Sequence, residues 1–565
     1  MTTLTRQPSV FVLVLGLAGL VAGCSDDDGA QTVDAGPDVE TPDASLVDAA
    51  EPDASLPPLV LPELDMAAAE ADLEYLSSAA CAGRATDTAG NELAMDYVEV
   101  RFVELGLEPA GDTPGSYRQE FPYVRYEHFE VPTMTLDGSG LVSGEDFAVY
   151  VYSASGQLDA EVVFVGYGLV LPPFDPTQYP GCPMDAGGFD EFDGVDLTGR
   201  IALIVMGGPN DDPALDSCPF AEGGNAFGSA LNRGAVATMF VSSYVNDPEP
   251  IHGAVASWDG SLSPVPLVWM SRDRLEVDIP ELPTWMSEID STLTPRSQHL
   301  GLQATLNVDA QTVDTVSYNL LGTIPGTDPV LGSDIVILSG HIDATGSDEE
   351  TGVVYAGTND NASGTVAAYR LAEALLLLDD PPRRTVLVAA WNGEETGLWG
   401  SCHFASSPLY SPWQTTAVLN IEMLSSGDGD SLLFYGQLDD ITNAWLVELI
   451  QAGVSALEVP VEIIDIPVYG DSDHWCFYQQ GMSATSVRGG PLARAPGYHT
   501  PEDNMAHFVM ADMEKGMLAT WSLLLPLVQG LEQHMPDAPS PKRGSTRRFS
   551  RGLFPHFDLV RLPSR

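Results

Sequence analysis

The second half of the chain alternates between short, almost continuously apolar stretches and longer stretches with helical spacing. From Val313 onward the apolar stretches include DIVILSGH, RTVLVAAW and TTAVLNIEML, and the helical patterns include SGTVAAYRLAEALLLL and ITNAWLVELIQAG. Strands that are apolar throughout are buried on both faces, and helices between strands allow neighbouring strands to run parallel. The pattern therefore predicts an α/β fold with a mainly parallel sheet that is covered by helices on both faces.

Two regions with other sequence patterns precede this one. The stretches MAAAEADLEYLSS and NELAMDYVEVRFVELGL have helical spacing and open the folded part near residue 59. From 136 to 310, short β-rich runs such as AEVVFVGYGLV and GRIALIVMGGP are separated by Gly, Pro and Asp. We therefore predict that residues 59–135 and 311–535 build one domain, and that residues 136–310 form a β-rich insertion.

Both ends of the chain lie outside the predicted folded part. Residues 1–24 place Arg6 ahead of a short apolar run that ends in LVAGC, which is typical of an export signal and resembles a bacterial lipobox with Cys24 as the lipidated residue. An ordinary secretory signal is the alternative. Residues 25–58 contain ten acidic and no basic residues and predict a disordered tether. Residues 536–565 form a basic, Pro/Ser-rich tail to which we assign no function. We expect an exported protein, either lipid-anchored on the bacterial cell envelope or secreted.

Acidic residues strongly outnumber basic ones. The chain has 81 Asp and Glu against 23 Lys and Arg, and its formal net charge is −58. A field of this sign repels nucleic acid and anionic membrane surfaces. We therefore exclude nucleic-acid binding and expect membrane contact only through a lipid on Cys24.

The six cysteines are widely spaced and match no structural zinc motif. An oxidising exterior would accommodate two disulfides, although spacing alone does not fix their connectivity. The pairs that fit are Cys182 with Cys218 and Cys402 with Cys476, which leaves Cys81 over once Cys24 carries lipid.

Metal-ligand residue types follow the predicted strands of the second half. Ligands in such folds gather beyond the carboxyl ends of the strands. Imidazole and carboxylate groups without a thiolate are the ligand set of a catalytic rather than a structural zinc site. The candidates are His341, Asp343, Asp360, Glu394, Glu395, Glu422 and His499.

The adjacent pair Glu394 and Glu395 adds a chemical argument. Such a pair is usually solvated, but in a turn beside a metal one carboxylate can bind the ion and the other can accept a proton from water. Asp343, two residues past His341, can hold the second ring nitrogen of that imidazole.

Six motifs in this region resemble those of metallopeptidase family 28 and occur in the family's order. The motifs are SGHIDA, NDNASG, WNGEETGLWGS, LNIEM, GDSDHWCF and GYHTPEDN. This family comprises co-catalytic di-zinc exopeptidases, among them secreted bacterial aminopeptidases, yeast vacuolar aminopeptidase Y and glutamate carboxypeptidases. The resemblance covers nearly all of residues 59–535 and implies two Zn²⁺ ions as cofactors and peptides as substrates.

The resemblance also implies a role for each motif residue. The two zinc ions would be bound by His341, Glu395, Glu422 and His499 and bridged by Asp360, with Glu394 as general base, Tyr498 as hydrogen-bond donor to the oxyanion, Asp343 orienting His341, and Asp473 and His474 in support. One position departs from most of the family, because Glu422 stands where an Asp is usual. We expect metal binding to survive this change, whereas the relative occupancy of the two sites does not follow from the sequence.

The β-rich insertion resembles a protease-associated domain through VFVGYGL, GVDLTGRIALIVMGG and ALNRGAVATMFVSS. In related enzymes this domain covers part of the active-site mouth and restricts substrate access. Because it commonly accompanies aminopeptidase activity, the favoured function is a zinc metallo-aminopeptidase, a hydrolase that releases N-terminal residues.

Three alternatives remain open. A carboxypeptidase or dipeptidase of the same fold would need basic residues for the substrate carboxylate, for which Arg488 and Arg494 are candidates. A glutaminyl-cyclase-like transferase is disfavoured because it would normally use one zinc. A non-catalytic receptor-like binding protein is disfavoured because every ligand position holds a competent residue.

Overall fold

The computed structural model describes a single compact unit within residues 53–565. The described residues are 62–128, 131–150, 153–178, 182, 184, 186–206, 218, 226–242, 263–347, 352–406, 409, 414–425, 432–436, 442–455, 457, 461–465, 472–490 and 497–531. The predicted signal segment, the tether and the basic tail lie outside them. Within these ranges, every helix is too short or too polar to span a bilayer.

The strands of the described residues are numbered in chain order. They are β1 Glu108–Pro109, β2 Arg118–His128, β3 Thr133–Leu136, β4 Ser139–Leu141, β5 Phe147–Val149, β6 Gly156–Phe164, β7 Val170–Leu171, β8 Phe189–Asp190, β9 Ile201–Met206, β10 Ala237–Ser242, β11 Leu267–Met270, β12 Gln298–Val308, β13 Ala310–Ile324, β14 Ile335–His341, β15 Gly346–Ser347, β16 Val354–Tyr355, β17 Thr385–Trp391, β18 Thr415–Glu422, β19 Leu432–Gly436, β20 Val461–Asp465 and β21 Ala484–Arg488.

The α-helices of the same residues are also numbered in chain order. They are α1 Met66–Leu76, α2 Ala89–Leu105, α3 Ala226–Asn232, α4 Arg272–Asp278, α5 Leu282–Thr292, α6 Gly364–Leu376, α7 Trp399–Ser406, α8 Ala444–Ser455, α9 His474–Gln479 and α10 Met510–Gln529. The two helices predicted at the start of the folded part are thus confirmed as α1 and α2. The side chains of Asp65 and Thr88 cap their first turns, and Gly106 ends α2 with a positive φ of 75°.

The main sheet has nine strands in the order β1-β13-β17-β14-β18-β21-β19-β20, with β2 also paired to β13. Its centre, β17-β14-β18-β21, is parallel as predicted. On one flank β1, β2 and β17 all pair antiparallel with β13, and on the other β19 runs antiparallel to β21 while it pairs parallel with β20. The prediction of a mainly parallel sheet was therefore wrong for the flanks. Alternation of strands and helices predicts parallel pairing only where a helix joins one strand to the next.

Helices cover both faces of this sheet. Alternate residues of β14 point to opposite sides, so that Val336 and Leu338 join one buried cluster while Ile335 and Ile337 join another. The first cluster includes apolar residues of α1, α2, α6, α8 and α10, and the second includes residues of α7 and α9. The mixed α/β class is confirmed, and the strand ends are left as the place where polar groups can collect.

A second sheet has eight strands in the order β4-β3-β12-β6-β9-β10-β11-β5. It has its own apolar clusters, one of which includes residues of α4 and α5. Its strands fall between Thr133 and Val308, so it begins three residues before the predicted boundary at 136. The chain leaves the main sheet at the end of β2 and returns at the start of β13.

Two disulfides lie within the described residues, Cys182–Cys218 and Cys402–Cys476. Cys81 is buried and free. The second disulfide joins α7 to α9. Its two cysteines are therefore not free thiols that could bind a metal.

Candidate metal centre

The candidate ligands meet at one edge of the main sheet. β14 ends at His341 and β18 at Glu422, and the pair Glu394–Glu395 begins three residues after the end of β17. These strands are parallel and in register, with His341 opposite Trp391, so their carboxyl ends lie at one level. Asp360 reaches this edge from the segment Thr358–Ser363, which precedes α6 and in which Asp360 itself has non-helical backbone angles.

One group of potential ligands consists of His341, Asp360 and Glu422, all buried. Nε2 of His341 lies 3.2 Å from Oδ1 of Asp360 and 3.5 Å from Oε2 of Glu422. Three donor atoms at such separations can face a single ion.

A second group consists of Asp360, Glu395 and His499. Nε2 of His499 lies 3.1 Å from Oδ2 of Asp360 and 3.0 Å from Oε2 of Glu395. Asp360 therefore belongs to both groups and turns a different oxygen toward each histidine. A carboxylate in this position can bridge two ions.

Glu394 belongs to neither of these two groups, although it forms a third group of potential ligands with His341 and Glu395. Its Oε2 lies 3.8 Å from Nε2 of His341, and its side chain is 13% exposed against 7% for Glu395. Burial raises the pKa of Glu394 well above its usual value, although the charge of His341 opposes this effect. Its carboxylate thus lies beside both groups and is slightly more exposed than that of Glu395.

The donor set fits zinc. Two imidazoles and three carboxylates face each other in a buried space without a thiolate, and Oε1 of Glu395 is buried with no hydrogen-bond partner. Burial lowers the pKa of His341, but the nearby charges of Glu394 and Glu422 outweigh it and raise that pKa well above its usual value. So many buried carboxylates call for added positive charge, which divalent ions supply.

Glu422 is held by neighbours that the sequence patterns did not single out. Its Oε1 accepts hydrogen bonds from Ser472 at 2.5 Å and from Asn420 at 3.1 Å. Asn420 also donates to Ser472 at 2.8 Å. Only Oε2 is left to face His341.

Asp343 is placed differently from the expectation. Its Oδ1 lies 3.7 Å from Nδ1 of His341, and the acceptor within hydrogen-bond distance of that nitrogen is the main-chain oxygen of Asp343 at 3.1 Å. The carboxylate accepts instead from the main-chain amides of Glu394 and Glu395, both at 3.2 Å. Asp343 therefore fixes the acidic pair as well as the neighbourhood of His341.

The remaining motif residues surround this centre. The ring of Tyr498 stacks on His499 with centroids 3.8 Å apart, and burial raises the pKa of Tyr498 well above its usual value. Asp473 and His474 are buried at the start of α9. Arg488 ends β21 opposite Glu422 in the register, and Arg494 lies outside the described residues.

Sequence reasoning missed a set of buried polar residues around the centre. Their own spacing carries no metal-ligand signal. The available signal is a single arginine among small residues in CAGRATDTAGN, which is an unusual setting for that residue. Asp503, in the last motif, accepts the main-chain amides of Asn359 at 2.7 Å and Asp360 at 3.0 Å. The other missed residues are Arg84, Thr86, Asn91, Asn392, Asn420 and Ser472.

The model of Peptidase family M28 matches residues 319–523, which include every candidate ligand. Over this stretch, just over a third of the chain, the protein resembles peptidase family M28, and residues 319–523 are named the M28 domain here. The resemblance drawn from the six motifs is thereby confirmed. Among curated relatives, aminopeptidase YwaD of Bacillus subtilis is 25% identical over 390 residues, which are 68% of this chain and 71% of YwaD. An aminopeptidase of Pseudomonas aeruginosa is 25% identical over 374 residues, which are 65% of this chain and 59% of that protein.

Solved structures show the same fold. The aminopeptidase of Aneurinibacillus sp. strain AM-1 superimposes with a TM-score of 0.56 at 21% identity, covering 82% of this chain and 94% of that one. A zinc aminopeptidase from Bacillus subtilis gives a TM-score of 0.55 at 20% identity, covering 82% of this chain and 95% of its own. The shared fold extends well beyond the M28 domain of this chain.

Proposed function

We propose that the chain is a zinc-dependent exopeptidase and, within that class, an aminopeptidase that uses two zinc ions. The observation that carries the proposal is the position of Asp360, whose two oxygens face His341 and His499 at 3.2 and 3.1 Å. His341 and Glu422 complete one site, and Glu395 and His499 complete the other. Bound zinc would polarise the scissile carbonyl and lower the pKa of water at the centre.

The chain's own residues supply the proton transfers and the orientation. Glu394, which lies beside the first site, accepts the proton of the attacking water and returns it to the leaving amine. Tyr498 donates a hydrogen bond to the oxyanion, because burial keeps its hydroxyl protonated. The carboxylate of Asp343 accepts hydrogen bonds from the main-chain amides of Glu394 and Glu395, and so fixes these two residues relative to each other.

Aminopeptidase action has the broader support. Curated relatives that align over about two thirds of this chain carry that name. A strongly acidic protein also attracts cationic free amino termini. Carboxypeptidase action is the second candidate, because Arg488 ends the strand beside Glu422 and a probable glutamate carboxypeptidase of Arthroderma benhamiae is 26% identical over 342 residues.

A substrate panel separates these activities. Aminoacyl nitroanilides and N-blocked dipeptides are incubated with the purified chain, with and without a chelator. Chelator-sensitive release of nitroaniline from unblocked substrates is the expected result. Cleavage of only the blocked dipeptides would favour the carboxypeptidase, and a folded protein without bound zinc or hydrolysis would contradict both.

Two further proposals concern the parts outside the M28 domain. The second sheet acts as a protease-associated domain that narrows access to the centre, and the exported chain is anchored through a lipid on Cys24. Mass spectrometry of the mature N-terminus tests the anchor, since lipidation of Cys24 changes both the first residue and its mass.

A further inference from the structure

The segment between α1 and α2 lies far outside the M28 domain in sequence yet reaches the loops of the metal centre. Gly83 is so close to the hairpin of β15 and β16 that a Cβ on it would lie 1.9 Å from the carbonyl oxygen of Gly346. The segment is therefore packed against the main-chain turns that carry the ligands.

Arg84 is the residue through which this contact is made. It is fully buried, and its guanidinium donates four hydrogen bonds to main-chain carbonyl oxygens. These are Nε to Ile342 at 2.9 Å, Nη1 to Ala356 at 2.6 Å, Nη1 to Leu76 at 2.8 Å and Nη2 to Gly357 at 2.8 Å. Ile342 follows His341 directly, and Gly357 precedes Asp360 by three residues.

A buried arginine bonded in this way holds the loop after β14 and the loop before α6 in fixed positions. Its planar fork fixes the carbonyls it contacts relative to one another, so the two loops cannot shift independently. Burial lowers the pKa of Arg84, while the nearby charges of Asp503, Asp343 and Glu395 act in the opposite direction. Its charge is thus offset by carboxylates of the metal centre.

Two neighbours of Arg84 extend the contact to the acidic pair. The Thr86 hydroxyl donates to Oδ2 of Asp343 at 3.0 Å, and this carboxylate holds the amides of Glu394 and Glu395. The side chains of Asn91 and Asn392 exchange hydrogen bonds of 3.0 and 2.9 Å. The segment and the first turn of α2 together therefore contact the three loops that follow β14, precede α6 and follow β17.

We propose that Arg84 is a positioning residue for the metal centre, which sets zinc affinity by locking the loop of His341 to the loop of Asp360. This inference rests on the proposed zinc site. It assigns a role to a residue that touches no ligand side chain and lies outside the matched domain.

The test uses the full chain and compares Arg84→Gln with Arg384→Gln. Arg384 is also buried and also donates to a main-chain carbonyl, Leu527 at 2.6 Å, but it precedes β17 at the end of the strand remote from the ligands. Zinc affinity is measured by competition with a chromophoric chelator, and ligand geometry by the absorption spectrum of the cobalt-loaded protein. Thermal unfolding of the metal-free proteins reports folding separately.

Arg84→Gln is expected to weaken zinc binding by about 10- to 100-fold and to change the cobalt spectrum. Arg84→Lys should recover part of the affinity, because it restores the charge and some donors. Arg384→Gln should unfold at a lower temperature while its zinc affinity stays as in the wild type.

Wild-type zinc affinity and an unchanged cobalt spectrum in folded Arg84→Gln would overturn the inference, as would equal loss of affinity in Arg384→Gln. If Arg84→Gln does not fold, Thr86→Val decides, since it removes one hydroxyl: unchanged affinity there overturns the inference and weakened affinity supports it. Absence of zinc binding in the wild type would instead refute the proposed function.

Discussion

Ser472 donates a hydrogen bond of 2.5 Å to Oε1 of Glu422, while Oε2 of the same carboxylate faces His341 at 3.5 Å. One oxygen of Glu422 is thus held in place, and the other is left to face an ion. The restraint accounts for how the longer glutamate fits a position where aspartate is usual, because Ser472 and Asn420 hold the carboxylate of the longer side chain in place.

Ser472→Ala should therefore weaken the zinc site of His341 more than that of His499. We expect about 10-fold weaker binding of one of the two ions, since an outer hydrogen bond to a ligand is lost. Stepwise zinc titration followed by metal analysis measures it. Equal weakening of both ions would show that Ser472 does not act through Glu422.

Glu422→Asp should retain at least one bound zinc, because the carboxylate is kept and only its reach changes. The shorter side chain should also lose its contact with Ser472, so the affinity of this site should fall. Metal analysis of the folded variant is the measurement. Complete loss of zinc would contradict the assignment of His499, Glu395 and Asp360 to a second site.

Glu394→Gln and Glu395→Gln should fail in different ways. Glu394→Gln keeps the shape and the zinc but cannot accept a proton, so turnover should fall by about 10²- to 10⁴-fold. Glu395→Gln should instead lower zinc content and make thermal stability depend on added zinc. Turnover and metal content are measured on both variants. Near-normal turnover in zinc-loaded Glu394→Gln would exclude it as the base.

Glu191 should make the stability of the protein depend on pH. This residue of the second-sheet region is fully buried, its Oε2 accepts from the amide of Leu169 at 2.9 Å, and its Oε1 has no hydrogen-bond partner. Burial raises its pKa from 4.5 to about 8. The folded state therefore holds a proton that the unfolded state releases, so this contribution is full below pH 4.5 and is lost as pH rises toward 8.

Glu191→Gln should abolish the part of the stability loss at rising pH that comes from this carboxyl group. Between about pH 5.5 and about pH 7.5, the free energy of unfolding of the wild type should fall relative to the variant by about 2–3 kcal/mol. Denaturant titration of both proteins at the two pH values measures the difference. A constant difference between them would show that Glu191 has the same pKa in both states.

Removal of residues 1–58 should give a soluble, zinc-binding protein, because the tether cannot form a core and α1 begins only at Met66. Removal through Ser77 should fail, since α1 carries Asp72, whose carboxylate bonds to Arg101 and Arg370. Circular dichroism and zinc content compare the two products. Misfolding of the shorter deletion would contradict the boundary at residue 59.

The position of the site was predictable because it follows from local patterns. Apolar strands joined by helices place their carboxyl ends together, so His341, Glu395 and Glu422 were expected at one edge before any contact was known. The ligand types then indicated a metal without reference to the fold.

The supporting contacts were not predictable in this way. Arg84 and Ile342 are separated by 258 positions, and Ser472 and Glu422 by 50, so neither pairing leaves a periodic trace. The antiparallel flanks were not predicted for a similar reason. β2 and β13 pair with each other, but all strands of the second sheet lie between them in the sequence. Asp343 was assigned by spacing to the ring of His341, whereas its carboxylate is oriented by donors from other loops.

The pairing of β2 with β13 brings Ala310 opposite His128, so the stretch of chain between these two residues starts and finishes at one place on the rim of the main sheet. A module attached in this manner is evolutionarily detachable. It can be gained, lost or exchanged for another without changing the register of a strand or displacing a residue of the candidate metal centre.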